Sequence, residues 1–188
     1  MAPGGETKKM KTPTGDVERV RTQLKYIYNS YRTALLNRKY YGERLNFFQK
    51  ANFWMEILIA VGAAGSSGIA GLAIWGTITG QYAWLGVSAT ATVLGVLKPI
   101  FQLGRHIEKC TNAHAGHTNV YFDLRAIVED IEVSKALPPK LVEKYQSIRK
   151  RIINLGGLDD PKPRKNLIRK LQAEVNSEIP PESLWVPE

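Results

Sequence analysis

The chain has one cysteine in 188 residues and lacks the short motifs that mark common catalytic sites. A single cysteine cannot close a disulfide within the chain, which excludes a small disulfide-stapled fold. There is no phosphate-binding glycine loop followed by Lys and Ser or Thr, no Gly-x-Ser-x-Gly and no Cys-x-x-Cys. The sequence therefore predicts a protein that is not an enzyme and has no cofactor and no metal.

Charge is also absent, but only from the middle of the chain. Residues 57–97 contain no Asp, Glu, Lys or Arg, which leaves 41 neutral residues between Glu56 and Lys98. A membrane span needs about 20 mainly apolar residues, so this segment has room for two spans and a turn. A buried hairpin of a soluble bundle is the alternative, but it would normally show a polar stripe on each helix.

The turn and the ends of the two spans are indicated by aromatic and breaking residues. Two glycines and two threonines lie between Trp75 and Tyr82 and interrupt the helical pattern. Aromatic residues favour the membrane-water interface, and the 21 steps from Trp54 to Trp75 cover about 31 Å as a helix. We therefore expect spans at about residues 54–75 and 82–104, forming a transmembrane helical hairpin.

Topology follows from the flanking charges. Residues 1–56 carry 11 Lys and Arg against 5 acids, residues 98–188 carry 15 against 12, and the turn carries none. The positive-inside rule then places both termini in the cytoplasm, with the chain as a multi-pass protein of the inner membrane. The net charge of +9 is better explained by topology and lipid contact than by nucleic acid, which stays a less favoured partner.

Heptad-like seams flank the neutral segment. Apolar residues recur at alternating steps of three and four from Val17 to Phe48, and again from Ile107 to Ile131. We expect an all-α fold in which two long helices pair as a cytoplasmic stem. Residues 1–15 are expected to be mobile, and residues 16–137 to form the two-span domain with its stem. Residues 138–188 are expected to form short helices and an irregular tail, whose Trp185 can dock on a neighbouring element. Candidate residues of the stem seam are Arg38, Tyr41, Cys110, His114, His117 and Tyr121.

Some of these seam residues, with His106, are also metal-ligand types. The steps between His106, Cys110, His114 and His117 are four, four and three, so the first and last lie about 16 Å apart on a straight helix. They cannot all reach one ion. A packed helix interface is the favoured interpretation, and a metal shared with a second chain is the alternative.

Two charged residues lie at the edges of the neutral segment. Lys98 falls about 9 Å inside a boundary near Gly104, where a charge is costly unless it is paired or faces water. Glu56 is the nearest opposite charge by depth, and Pro99 permits a kink. The favoured interpretation of Lys98 is a topology anchor that extends to the headgroups; the alternative is that it lines or gates an aqueous path. The pore or gate candidates are Lys98, Glu56, Pro99, Ser66 and Ser67.

Small residues recur in both expected spans. Gly62, Gly65, Gly68 and Gly71 are spaced every three residues, and Gly86 and Gly95 belong to the second span. Small residues let helix backbones approach closely in lipid. Four glycines at this spacing cover about half of the helix circumference, more than one partner helix needs, so we expect contacts between copies of the chain.

The layout resembles a known family. An Arg/Tyr-rich helix at residues 31–41 leads into two spans and then a helix with a seam of His and Tyr. Over about residues 17–135 this is similar to the SLATT domain, a two-span effector domain associated with prokaryotic defence. The resemblance implies an effector that oligomerises and permeabilises the membrane when a partner protein or nucleotide signals infection. The alternatives are a non-conducting anchor for a nucleic-acid or nucleotide enzyme, and a soluble nucleic-acid-binding bundle.

Overall fold

The computed structural model describes residues 13–64 and 78–187. These residues form five α-helices and no strand, which confirms the predicted all-α class. In chain order they are α1 (Pro13–Ala64), α2 (Ile78–Phe101), α3 (Leu103–Ser134), α4 (Pro139–Leu155) and α5 (Lys165–Glu178). Single 3-10 turns follow α4 at Gly156–Leu158 and α5 at Pro181–Ser183. The expected first span, the two-span hairpin and its cytoplasmic stem remain predictions.

Helix α1 is continuous from the first seam into the expected first span. It begins at Pro13, three residues before the expected start of the two-span domain at residue 16. Proline suits a first helical turn because its missing N–H has no partner there anyway. The expected turn between the spans reached Tyr82. Helix α2 begins at Ile78, so residues 78–82 are helical instead.

The expected second span is divided near its end. Helix α2 contains Pro99 and ends at Phe101, and Gln102 has a φ of 44° before α3 begins. The proline cannot donate to the carbonyl one turn back, which weakens the helix locally. A left-handed non-glycine residue costs about 1–2 kcal/mol. The apolar helix α2 and the polar helix α3 are therefore separate helices, and the division falls at Gln102, within the expected span over residues 82–104.

Two compact units divide the described chain. The first, which we call the bundle, contains the residues up to Lys39 and those from Ala115 onward. The second, which we call the helix pair, is Tyr40–His114. Both boundaries fall inside continuous helices, α1 and α3.

The bundle has a conventional apolar core. The buried side chains come from all four of its helical segments and pack as one cluster: Leu24, Ile27, Tyr28, Tyr31, Ala34, Leu35, Val120, Tyr121, Leu124, Ile127, Val128, Ile131, Ile148 and Val175. The Tyr31 and Tyr121 rings stack with centroids 5.3 Å apart, one residue from each predicted seam. The two seams therefore pair within the bundle.

The C-terminal tail docks on the bundle, as expected for Trp185. The Trp185 backbone N–H donates to Glu132 at 2.7 Å, and its carbonyl accepts from the Tyr28 hydroxyl at 2.8 Å. Leu184 and Trp185 pack against the apolar core. Burial and the nearby Glu132 carboxylate raise the pKa of Tyr28 to about 12.

Ion pairs and hydrogen bonds join α5 to α1, and Glu132 to Lys135 and the tail. Lys39 forms ion pairs with Glu174 and Glu178, and the hydrogen bond that it donates to Glu178 raises the pKa of Lys39. Burial alone would raise the pKa of Glu132, but hydrogen bonds from Lys135 and the Trp185 backbone outweigh it and lower that pKa. The tail and α5 are thus held by both apolar and charged contacts.

Candidate functional site in the helix pair

Helix α2 is apolar but almost entirely exposed. It has 24 residues, a mean hydropathy of 1.4 over its most apolar stretch, and only 6% of that stretch is buried. At about 1.5 Å per residue it extends about 36 Å, enough to cross a hydrocarbon layer. Among the described residues it is the one helix with these properties. The expected first span is described only to Ala64.

The end of α1 packs against α2 and the start of α3 in an antiparallel register. Gly62 lies against Ala91, Glu56 pairs with Lys98, and the Phe48 ring stacks on His106 with centroids 5.1 Å apart. As the residue number falls along α1, the number of the residue that it contacts on α2 or α3 rises by about the same amount. Gly62 is required at its position, because a Cβ there would lie 2.1 Å from the Ala91 Cβ.

The structure brings Lys98 and Glu56 together. The Lys98 Nζ donates to the Glu56 Oε1 at 3.1 Å, and the Asn52 Nδ2 donates to the same oxygen at 3.0 Å. The side chains are 40% and 53% exposed. Sequence reasoning found the ion pair by matching depth but missed Asn52, although it lies one helical turn before Glu56. Pairing of opposite charges lowers the free-energy cost of placing ionisable groups near an apolar layer.

Two threonine hydroxyls of α2 are satisfied inside the helix. The Thr90 hydroxyl donates to the Gly86 carbonyl at 2.8 Å, and the Thr92 hydroxyl donates to the Ser88 carbonyl at 2.9 Å. Such back-bonding lets hydroxyls face an apolar medium without unmet donors.

Three of the expected helix-packing glycines are described, and one of them packs against another helix while two do not. Gly62 packs within the pair, whereas Gly86 and Gly95 have open space where a Cβ would be. Gly65, Gly68, Gly71, Ser66 and Ser67 lie outside the described residues. Gly86 and Gly95 are nine residues apart, so the two open positions lie on nearly opposite sides of α2.

The residues of the predicted seam occupy varied environments. The Arg38 guanidinium lies 5.2 Å from the centroids of the Tyr121 and Phe122 rings, a cation-π contact inside the bundle. Tyr41 and Cys110 are buried in the helix pair. The His114 ring lies in the space beside Gly42, where a Cβ would be 3.4 Å away.

His117 belongs to the bundle and is also buried. Its Nε2 lies 3.6 Å from the carboxylate of Asp159, which directly follows the 3-10 turn after α4. Within the described ranges, no three His, Cys, Asp or Glu side chains cluster as metal ligands. The structure thus places the histidines in separate contacts along the helices.

Comparison of the chain with protein family models, with characterised proteins and with solved structures found no match. The site is therefore defined by its own residues. It consists of the exposed apolar helix α2, the end of α1 that packs on it through Gly62, and the half-exposed ion pair of Glu56 and Lys98 at the edge of the apolar segment.

Proposed function

We propose that the chain is a two-span membrane effector that oligomerises and permeabilises the membrane in antiviral defence, in response to a partner protein or a nucleotide signal. The observation that carries the proposal is the exposure of α2. A helix of this length and hydropathy in a soluble protein would be buried, whereas only 6% of its apolar stretch is. Lipid is the environment that removes such a surface from water.

Oligomerisation is supported by the free surface of α2. The positions of Gly86 and Gly95 are open, and the hydroxyls of Thr90 and Thr92 are already satisfied. A second helix could approach α2 closely on the side of Gly86, where the Thr90 hydroxyl is already satisfied. The defence role and the external signal rest on the resemblance to the SLATT domain alone.

A conduit is supported by the ion pair. Glu56 and Lys98 are paired yet remain about half exposed, so a group outside the helix pair can still reach them. In an assembly of several copies, these pairs would place both signs of charge beside the path of ions. Rearrangement of the pairs is the step that we propose to open the path.

The test is ion or dye leakage from liposomes that contain the full-length chain. We expect leakage with the wild type, altered conductance with Lys98→Leu, and partial recovery in the charge exchange E56K/K98E, which keeps the pair. Lys140→Leu, at an exposed position of α4, is the matched control and should conduct as the wild type does.

Insertion is measured in parallel by alkaline extraction and by protease access to the termini. If the wild type is inserted and oligomeric but never leaks, the pore is excluded and the non-conducting anchor replaces it. If Lys98→Leu changes orientation and leaves conductance per inserted molecule unchanged, Lys98 is only an anchor.

A further inference from the structure

A half-open groove lies between α1 and the docked tail, wholly within the bundle. Its volume is about 720 Å³, within the range of small-molecule sites. One wall is a face of α1 that carries Arg21, Lys25 and Arg32, and the other is formed by Leu184 and Val186 of the tail. One side of the groove is therefore cationic and the other apolar.

The three cations project from nearly the same side of α1. Lys25 follows Arg21 by four residues and Arg32 follows Lys25 by seven, which are close to one and two full turns of the helix. The three side chains therefore form a row about 17 Å long. Glu18 is the one acid in the lining, and its carboxylate lies 3.8 Å from the Arg21 guanidinium. The lining keeps a net positive charge.

Two of these cations have binding capacity that the described chain does not use. Lys25 is exposed and makes no ion pair or hydrogen bond with the described residues. The Arg32 Nη2 donates to Asn176 at 2.5 Å, but its Nε is buried without an acceptor among those residues. A buried donor without a partner carries a free-energy cost that an acceptor would remove. Arg21, by contrast, donates to the Pro187 carbonyl at 2.9 Å.

The groove also offers an aromatic surface. Tyr26 lines it, and its ring is largely exposed. A flat aromatic group could stack on this ring while an anionic group reaches the cations, and Leu184 would cover the other side. A free inorganic anion would use only half of this surface.

From these features we infer that the groove binds a nucleoside phosphate, with its phosphates along Lys25 and Arg32 and its base between Tyr26 and the tail. Because the tail forms one wall, binding stabilises the docked tail. The inference does not depend on the proposed membrane activity, since the groove is formed by the bundle alone.

The experiment is calorimetric titration of the full-length chain in neutral detergent with ATP, GTP, CTP and UTP, alongside thermal unfolding. We expect saturable binding of at least one nucleotide and a raised melting temperature. Adenosine and inorganic phosphate should each bind at least about tenfold more weakly than the triphosphate, because each makes half of the contacts. Binding should weaken with added salt.

Variants separate the site from general charge attraction. Lys25→Glu and Tyr26→Ala change exposed side chains and should fold normally, yet each should weaken binding by about tenfold or more. Arg32→Gln should do the same, but it also loses a contact with Asn176. Lys140→Glu, which makes the same charge change outside the groove, should bind as the wild type does.

Several results would overturn the inference. Absence of saturable binding by all four nucleotides would do so, as would equal weakening by Lys25→Glu and Lys140→Glu. If Lys25→Glu abolished binding to phosphatidylglycerol vesicles and left nucleotide binding unchanged, the cations would serve a lipid headgroup instead.

Discussion

The bundle and the helix pair place their apolar side chains in opposite ways. In the bundle, residues such as Leu124, Ile127 and Ile131 are fully buried. In the helix pair, Leu85, Val93 and other large apolar residues of α2 face outward. Both units are built from helices, so the difference lies in where the apolar side chains are: inside the bundle, but on the exposed surface of α2. The membrane location that we propose for α2 would remove this surface from water. Four pairs of substitutions test this contrast, from the largest expected effect to the smallest.

Truncation of a leucine should have unequal effects in the two units. Leu124→Ala empties a fully buried position and should lower the free energy of unfolding by about 2–5 kcal/mol. Leu85→Ala, at a position 62% exposed, should change it by less than about 0.5 kcal/mol. Chemical denaturation in neutral detergent, followed by circular dichroism, measures both. Equal losses would contradict the contrast in packing.

A charge on the outer surface should be tolerated by the bundle and not by the helix pair. Val93→Arg places a cation in the middle of α2 and should oppose insertion by about 2.5–3.5 kcal/mol. Val133→Arg is the matched change at an exposed position of α3 in the bundle. Membrane fractionation with alkaline extraction reports the result. If Val93→Arg remained fully inserted, α2 would not face lipid.

Replacing glycine by alanine should change stability in opposite directions at two positions of the helix pair. Gly62→Ala forces α1 and α2 apart, because the new Cβ would lie 2.1 Å from that of Ala91, and should cost about 1–3 kcal/mol. Gly86→Ala meets no atom within 4 Å and should stabilise its helix by about 0.5–1 kcal/mol. Melting temperatures in detergent distinguish the two. A loss at Gly86 would mean that another chain packs there.

The smallest expected effect is a loss of stability at low pH, and it concerns Glu132 in the bundle. Because the pKa of Glu132 is lowered in the folded protein, its stabilising contribution is present above about pH 4.5 and is lost as the pH falls through the lowered value. Partly solvated ion pairs of this kind contribute about 0.2–1 kcal/mol. Melting temperatures between pH 3 and 7 should fall less steeply in Glu132→Gln than in the wild type. Glu143→Gln, on α4, is the control.

Sequence periodicity predicted much of the bundle, and its limits have a physical cause. The seams through Leu24 and Leu124 were found because a helix that packs on one partner repeats its apolar residues at steps of three and four. The neighbouring buried residues Tyr28 and Ile127 were missed. They are buried because α4, α5 and the tail pack on the same two helices, and a helix with several partners needs a wider apolar stripe.

The candidate site was predicted in part. The pairing of Glu56 with Lys98 followed from matched depth on two antiparallel helices, and the structure brings the two side chains together. The break at Gln102 could not be located, because Pro99 weakens a helix without fixing where it ends. The groove was not foreseen either, because its two walls are about 150 residues apart in the chain.

The sequence alone determined that the protein is helical, where its charge-free segment lies and which residues form the seams, because these properties depend on local periodicity and composition. Only the tertiary structure decided that α2 remains exposed, that Gly62 must be glycine, and that the tail meets a row of cations on α1. Burial and contact across long stretches of chain depend on which helices pack together, and no local pattern contains that information.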